Sequence, residues 1–460
     1  MKTPITALTV ASMFICVATA EKKPNILFIL ADDMGYGDLA CYGNALAKTP
    51  NIDRLAAEGV RCTDFYAPSA VCSPSRAGLL TGRNPHRAGV YNHLKPGAPG
   101  KGAPGHLRAQ EITIAEWLRD KAGYQTVHVG KWHLGDLEDP AKPAPWEQGF
   151  EKSYAFIHGK PTSKDDFEFA VYRNGRPATP ARGSTAQLVG ELFAEWADTV
   201  DKERPFFAYL APQEPHVPLN LRPKFLAMHK DAGEQQNYQA DVTELDGLIG
   251  CVRTILKVRG LDKNTLIIFS SDNGAIIRAP LGYTGTNGPL RGQKGQFHDG
   301  GIRVPGIFCW PGVLPSGTTC SEPLTGLDLF PSFCALAGIE PPVIPLDGEN
   351  ILASLTGGKP RQRPIFWIRD WKEEGPSVAL RDGDFKITAM IENRLLTGFQ
   401  IYDLRRDIGE TGTPAAGIGP ERQRDLENRL RAAFDSVAAD TVIWPAKGHA
   451  ASPAWMEQLP

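Results

Sequence analysis

Four apolar stretches of this chain stop abruptly at side chains able to do chemistry: Asp32-Asp33, Lys131 with His133, His216, and Asp272-Asn273. Asp32, Asp33, Asp272 and Asn273 offer hard oxygens, a donor set suited to Ca²⁺ or Mg²⁺ rather than to a soft transition metal. Between them, Val71-Cys72-Ser73-Pro74-Ser75-Arg76 and its apolar continuation read as the start of a helix, with Ser73 as cap and Pro74 in the first turn. Cys72 then lies at a helix mouth, where unpaired backbone N–H groups and the helix dipole favour an anion. Arg76, Lys131 and Lys294 add positive charge, and His133 and His216 exchange protons near neutral pH. Taken alone, each acidic pair is more plainly a cap or a solvated turn, and a lone His or Lys a surface residue. His86, His93 and His106 keep that surface reading.

These residues need elements that bring them together. Residues 24–31, 124–129, 205–211 and 265–270 are largely apolar runs of the kind buried on both faces of a parallel sheet. Helical patterns at 51–57, 186–200 and 237–258 alternate with them, which predicts an α/β fold with a large, mostly parallel central sheet flanked by helices. In such a sheet, ligand groups gather at the carboxyl ends of the strands, where all four polar endings fall. Adjacent strand residues point to opposite faces, so Asp32 and Asp33 converge only if the strand ends at Ala31.

Thr113-Ile114-Ala115-Glu116 is a capping box opening a further helix, and 60–66 reads as one strand leading to the Cys72 loop. Residues 83–110 read as a long surface loop and 138–180 as an irregular insertion. Trp146, Phe150 and Tyr154 there serve either core packing or stacking on sugar rings. Residues 307–310 read as a strand and 328–337 as a helix. Beyond about Lys359, short strands, a turn at Arg381-Asp382-Gly383-Asp384 and an amphipathic helix over 422–437 predict a small C-terminal α+β subdomain with an antiparallel sheet. The expected division is a leader over 1–20, a catalytic domain over 21–360 and the subdomain over 361–460.

At 460 residues, 42% hydrophobic and 22% charged, this is an ordinary globular composition, large enough for one big domain with an appendage. A formal net charge of -2 gives no reason to invoke nucleic acid or an anionic membrane as partner. The N-terminus, Met1-Lys2, then an apolar run over 5–17, then Ala18-Thr19-Ala20, reads as a secretory signal peptide cut after Ala20, with no membrane insertion afterwards. A periplasmic or extracellular protein is expected. Cys16 is lost with the leader. Cys41, Cys62, Cys251, Cys309, Cys320 and Cys334 allow up to three disulfides in an oxidising compartment, with the pairing open.

Cys72-Ser73-Pro74-Ser75-Arg76 with Thr81-Gly82-Arg83 resembles the signature of the type I sulfatases, of the arylsulfatase and N-acetylgalactosamine-6-sulfatase kind within the alkaline phosphatase superfamily. The resemblance extends through Asp32-Asp33-Met34-Gly35-Tyr36-Gly37-Asp38, Gly130-Lys131-Trp132-His133, Pro215-His216, Ser271-Asp272-Asn273-Gly274, Lys294 ahead of Gly300-Gly301, and Tyr402-Asp403-Leu404. It implies an alkaline-phosphatase-like sandwich and hydrolysis of a sulfate ester, on a carbohydrate or an aryl group. It also implies that a maturing (formylglycine-generating) enzyme oxidises Cys72 to formylglycine (3-oxoalanine).

By the same resemblance, Asp32, Asp33, Asp272, Asn273 and the modified Cys72 bind one Ca²⁺. The hydrated aldehyde of residue 72 attacks sulfur, Arg76 and Lys131 hold the diol, and Lys294 grips the sulfate. His216 with Lys294 protonates the leaving alcohol, and His133 takes the proton whose loss expels sulfate. One departure stands out: His298-Asp299-Gly300-Gly301 replaces the Glu-Gly-Gly of many relatives, which bears on contacts near Lys294, and His298 itself reads as exposed or else as a substrate contact. Alternatives are a phosphonate monoester or phosphodiester hydrolase of the same superfamily, and a catalytically dead carbohydrate-binding relative.

Overall fold

The computed structural model describes residues 22–94, 106–139, 142–156, 160–163, 166–219, 221–278, 283–369, 375–393, 395–412, 415 and 417–442. The expected leader and Cys16 lie outside the described residues. In chain order the first elements are β1 (Asn25–Ala31), α1 (Pro50–Ala57), β2 (Val60–Cys62), β3 (Phe65–Tyr66), α2 (Cys72–Thr81), α3 (Ile114–Ala122), β4 (Gln125–Lys131) and β5 (Lys152–Phe156). Next come β6 (Lys160–Ser163), β7 (Asp166–Phe169), β8 (Val171–Arg173), β9 (Arg176–Pro177), β10 (Ala181–Arg182), α4 (Thr185–Ala197), β11 (Phe206–Ala211), α5 (Pro223–Met228), α6 (Gln236–Val258) and β12 (Thr265–Ser271). The remainder are β13 (Ile277–Arg278), β14 (Tyr283–Thr284), α7 (Asp299–Ile302), β15 (Gly306–Cys309), β16 (Thr318–Cys320), β17 (Leu324–Thr325), α8 (Leu329–Ala337), β18 (Ile365–Ile368), β19 (Val378–Asp382), β20 (Phe385–Glu392), β21 (Leu395–Asp403) and α9 (Pro420–Ala439).

A ten-stranded sheet, ordered β16-β2-β15-β12-β1-β11-β4-β5-β8-β9, forms the centre. Its middle is parallel: β1 lies between β12 and β11, and β11 pairs with β4. Side chains alternate faces along β1, and the packing follows that alternation. Ile26, Phe28 and Leu30 join a core layer with residues of α2, α3 and α8, while Leu27, Ile29 and Ala31 join a second with residues of α1, α4 and α6. Helices therefore cover both faces, as the all-apolar strands require.

Register decides where the chemistry goes. Ala31 pairs with Ser271, and Ala211 pairs with Gly130. The ends of β1, β12, β11 and β4 thus reach one edge together. The capping box forms as expected, with Thr113 and Glu116 each accepting from the other's backbone N–H. The C-terminal strands make a separate antiparallel sheet, β18-β19-β20-β21, whose Asp382↔Phe385 pairing leaves Gly383-Asp384 as the hairpin turn. Leu426, Leu430, Phe434 and Val437 of α9 pack into its core. Among the described residues, no helix is long and apolar enough to cross a membrane.

Several expectations are corrected. The single strand expected over 60–66 is two, β2 in the central sheet and β3 paired with β17, because the chain changes sheets at Thr63-Asp64. The supposed insertion over 138–180 contributes β5, β8 and β9 to the central sheet. Of the two uses expected for the aromatics there, Phe150 takes core packing, stacked on Phe207 and Tyr209, and the Tyr154 ring is covered by Arg173. The described part of the expected surface loop is largely inside: Arg83, Asn84, His86, Arg87 and Tyr91 are buried. His93 is exposed as expected. All six of Cys41, Cys62, Cys251, Cys309, Cys320 and Cys334 are free thiols, so none of the expected disulfides forms. Cys62 and Cys320 do face each other across β2 and β16.

Candidate active site

The first residue of α2 is Cys72 itself. Val71 is the N-cap and makes no side-chain cap bond. The expected capping role of Ser73 is thereby replaced: its hydroxyl accepts from the Leu94 N–H at 3.0 Å. Gly82 ends the helix in a left-handed conformation, φ +66°, which an L side chain rarely adopts. The helix is buried throughout, so its N-terminus opens into the interior at the sheet edge.

There the Cys72 Sγ lies 3.3 Å from Asp32 Oδ1 and 3.6 Å from Asp33 Oδ1. The two carboxylates converge because β1 has ended: Asp33 adopts φ +63°, a left-handed turn that reverses the alternation of the strand. Such a conformation costs roughly 1–3 kcal/mol and persists where surrounding bonds impose it. Those bonds are present. The Asp33 N–H donates to Asp272 Oδ1 at 3.1 Å, the Met34 N–H to Ser271 Oγ at 2.9 Å, and the Tyr238 hydroxyl to the Asp33 carbonyl at 2.9 Å.

Cations surround the acidic pair. Lys131 Nζ sits 2.5 Å from Asp32 Oδ2, and Lys294 Nζ 2.6 Å from Asp33 Oδ1. Arg76 donates to Asp272 Oδ2 from Nε and Nη2, at 2.9 and 2.7 Å, and to the Lys131 carbonyl from Nη1 at 3.1 Å. Burial pushes Asp32 and Asp33 upward, yet the neighbouring cations outweigh it and hold both below the ordinary carboxylate range. For Asp272 the balance reverses: burial, then repulsion from Asp32, outweigh Arg76 and push it up to about 6. The Cys72 thiol is pushed well up, by burial first and Asp272 next, so as a thiol it stays protonated at neutral pH.

The two histidines divide. His216 brings Nε2 within 3.6 Å of Asp33 Oδ2, while its Nδ1–H donates to the Val217 carbonyl. Burial lowers its pKa against the opposing pull of Asp33. His133, at φ +57°, donates Nε2–H to the Leu94 carbonyl at 2.8 Å, which leaves the lone pair on Nδ1. It connects with the Cys72 helix through Leu94, whose own N–H reaches Ser73.

A hard cation has a ready donor set. One ligand atom each from Asp32, Asp33, Cys72 and His216 lies within 4.8 Å of the others. Asn273 donates Nδ2–H to Asp33 Oδ1 at 2.8 Å, while its buried Oδ1 has no hydrogen-bond partner among the described residues. An orphaned amide oxygen beside two carboxylates is what a Ca²⁺ or Mg²⁺ ligand set looks like before the ion is counted. Asp272 reaches this group through the Asp33 N–H and Arg76.

Asp38 and Tyr238 escaped assignment. Asp38 accepts from the N–H groups of Gly35 and Thr286, and its Oδ2 lies 2.8 Å from the Tyr238 hydroxyl, so it clamps the turn that carries Asp33. Its place in the Asp32–Asp38 motif is a legible signal, whereas Tyr238 is one of many buried residues of α6 and carries none. His298, expected to be exposed, is buried at 6%. Its ring lies 3.7 Å from Glu410 Oε1.

Compared with known proteins, residues 24–339 match the family model described as Sulfatase. The chain is 35% identical to human arylsulfatase A over 444 residues, covering 86% of this chain and 84% of that protein. It is 34% identical to canine N-acetylgalactosamine-6-sulfatase over 381 residues, covering 76% and 70%. Among solved structures, Ps i-CgsB in complex with k-i-k-neocarrahexaose superposes with a TM-score of 0.78 at 28% identity, covering 92% of this chain and 94% of that one.

Proposed function

The chain belongs to the sulfatase family and is a sulfuric ester hydrolase, and from that premise we propose that it cleaves sulfate esters of carbohydrates with a formylglycine at position 72 and a bound Ca²⁺. The observation that carries this reading is the position of Cys72: at a buried helix mouth, its Sγ faces both Asp32 and Asp33. A buried, protonated thiol is a poor nucleophile, and an aldehyde at that position needs no thiolate. As formylglycine, residue 72 supplies in hydrated form the nucleophile for sulfur.

Asp32, Asp33, Asp272, Asn273 and residue 72 would hold the ion, and the ion would supply charge neutralisation for a tetrahedral anion. Arg76 and Lys131 keep residue 72 in place: the guanidinium ties α2 to β12 through Asp272 and to the end of β4 through the Lys131 carbonyl. Lys294, paired with Asp33, is placed to grip sulfate oxygens, and His216, once its ring is doubly protonated beside Asp33, to give the leaving oxygen a proton from Nε2 with Lys294. His133 keeps the Nδ1 lone pair that a general base requires. These roles also divide the chain into a catalytic unit over 21–360 and a supporting one over 361–460.

Canine N-acetylgalactosamine-6-sulfatase and the neocarrahexaose complex point to a sulfated sugar as the substrate class. The unmodified chain needs a partner that oxidises Cys72, and its leader predicts export to a periplasmic or extracellular space. Intact-mass and peptide spectrometry of the exported protein tests the modification: conversion of cysteine to formylglycine lowers the mass by about 18 Da. Turnover of an aryl sulfate beside an aryl phosphonate, then of sulfated mono- and oligosaccharides, tests the reaction. A native protein that keeps the thiol and turns over none of these is a carbohydrate-binding relative, and preference for the phosphonate makes it a phosphonate hydrolase.

A further inference from the structure

A second group of buried charges lies away from the reaction centre, where the C-terminal sheet meets the catalytic layer. The Lys386 side chain, on β20, is fully buried, with Nζ 2.8 Å from Asp299 Oδ1 and 2.9 Å from Glu410 Oε1; both carboxylates are fully buried too. Asp299 Oδ2 accepts from the Tyr66 hydroxyl at 2.9 Å and lies 3.3 Å from Arg303 Nη1. The Asp299 N–H donates to Glu410 Oε2 at 2.6 Å. Asp64 pairs with Arg303 at 2.9 Å and with Arg381 at 3.2 Å. Three cations thus meet three carboxylates, which balances the charge within the interior.

Desolvating so many charges is expensive, and a packed apolar cluster holds two surfaces together at less cost. What ionic contacts add is geometry, because each oxygen and N–H has one satisfied arrangement. The geometry here sets the base of the segment carrying Lys294. Asp299 opens the short α7, the Gly300 N–H donates to the Arg291 carbonyl at 2.7 Å, and the Gly274 N–H donates to the Gly301 carbonyl at 3.0 Å. Lys294 is held by its own N–H to the Ala275 carbonyl at 3.1 Å. Residues 291–301 therefore stack on the backbone just after Asn273, with no slack: a Cβ on Gly274 would fall 1.9 Å from the Gly300 carbonyl oxygen.

We propose that Lys386 is a positioning residue for sulfate binding: through Asp299 and Glu410 it sets the backbone that places the Lys294 ammonium and the Asn273 amide. The C-terminal sheet is on this view part of the active-site support. The inference rests on the reading above, in which Lys294 grips sulfate. It also gives the short Asp299 side chain a reason, since its carboxylate faces Lys386, Tyr66 and Arg303.

The test uses the full mature protein and Lys386→Arg, which keeps the charge and changes the reach. KM for an aryl sulfate and the inhibition constant of inorganic sulfate are measured with kcat. We expect both constants to rise together by about tenfold or more, the scale of a displaced binding group, with a smaller fall in kcat. Leu430→Ala, in the core between α9 and the C-terminal sheet, serves as the stability control and should lower Tm without moving either constant. If Lys386→Arg does not fold, Glu410→Gln, which keeps the shape and removes the charge, carries the same comparison. A folded variant with both constants unchanged overturns the inference, as does a Leu430→Ala protein that moves them equally. Wild-type protein without sulfatase turnover defeats the earlier reading instead, before any variant is compared.

Discussion

Arg76 and Asp272 face each other with Nη2 and Oδ2 2.7 Å apart, both side chains wholly excluded from solvent. One comes from the second turn of α2 and the other from just past β12, and the pair links the Cys72 helix to the proposed donor set. Removing one member leaves an uncompensated charge in the interior, beside the further carboxylate of Asp32. Arg76→Ala is therefore expected to cost about 3–5 kcal/mol, read as a fall in the denaturation midpoint, and to abolish turnover. Arg76→Lys keeps the charge and loses the two-nitrogen grip on Asp272, so it should recover part of the stability and little of the activity.

Chelation tests the metal. Dialysis against a chelator should abolish turnover, and Ca²⁺ should restore it, whereas Zn²⁺ should not, because the donors are mostly hard oxygens. A cation bound only by the folded state raises stability by roughly 2.7 kcal/mol at one hundred times its dissociation constant. Calorimetry of the chelated protein with and without Ca²⁺ reads that shift. An unchanged Tm together with full activity in chelator would remove the ion from the mechanism.

Acid should weaken the fold through His128. Burial against Trp132, Phe150 and Tyr209 presses its pKa down to about 3. The unfolded chain then binds a proton that the folded one refuses, so stability is complete above about pH 6.5 and declines as pH falls toward 3. The slope is about 1.4 kcal/mol per pH unit for this one group. His128→Phe removes that contribution, and urea denaturation at pH 7 and pH 5 should show a smaller difference for the variant than for the parent.

Gly274→Ala probes the close approach beside the proposed metal donors. The added methyl would lie 1.9 Å from the Gly300 carbonyl oxygen, so backbone must move, and overpacking of this kind costs about 1–3 kcal/mol. Asn273 is the adjoining residue. The variant should need more Ca²⁺ for half-maximal activity, measured by titration of chelated protein. A variant with the parental Ca²⁺ requirement would show that Asn273 is not held by this contact.

Parts of this architecture are legible in the sequence, for local reasons. β1 is apolar to its last residue, so the change from Ala31 to Asp32-Asp33 marks both the strand end and the site, and in β12 the apolar run through Phe269 gives way to Ser270-Ser271 just before Asp272-Asn273. Thr113 and Glu116 declare a helix start because both halves of their reciprocal bond lie within one turn. The Cys72 helix is legible too, although its cap is not: Ser73 turns to Leu94, a partner 21 residues away.

Only the tertiary structure decides which distant groups meet. Arg76 and Asp272 are 196 residues apart, and Lys386 and Asp299 are 87 apart. The packing of one layer on another brings each pair together, and it depends on how whole layers of side chains fill the space between sheets and helices. For the same reason 138–180 looks irregular as a string yet supplies three strands to the central sheet, and His86 looks like a loop residue yet is buried. Residue type and spacing determine the chemistry on offer at each strand end. Long-range packing determines which of those groups share a pocket.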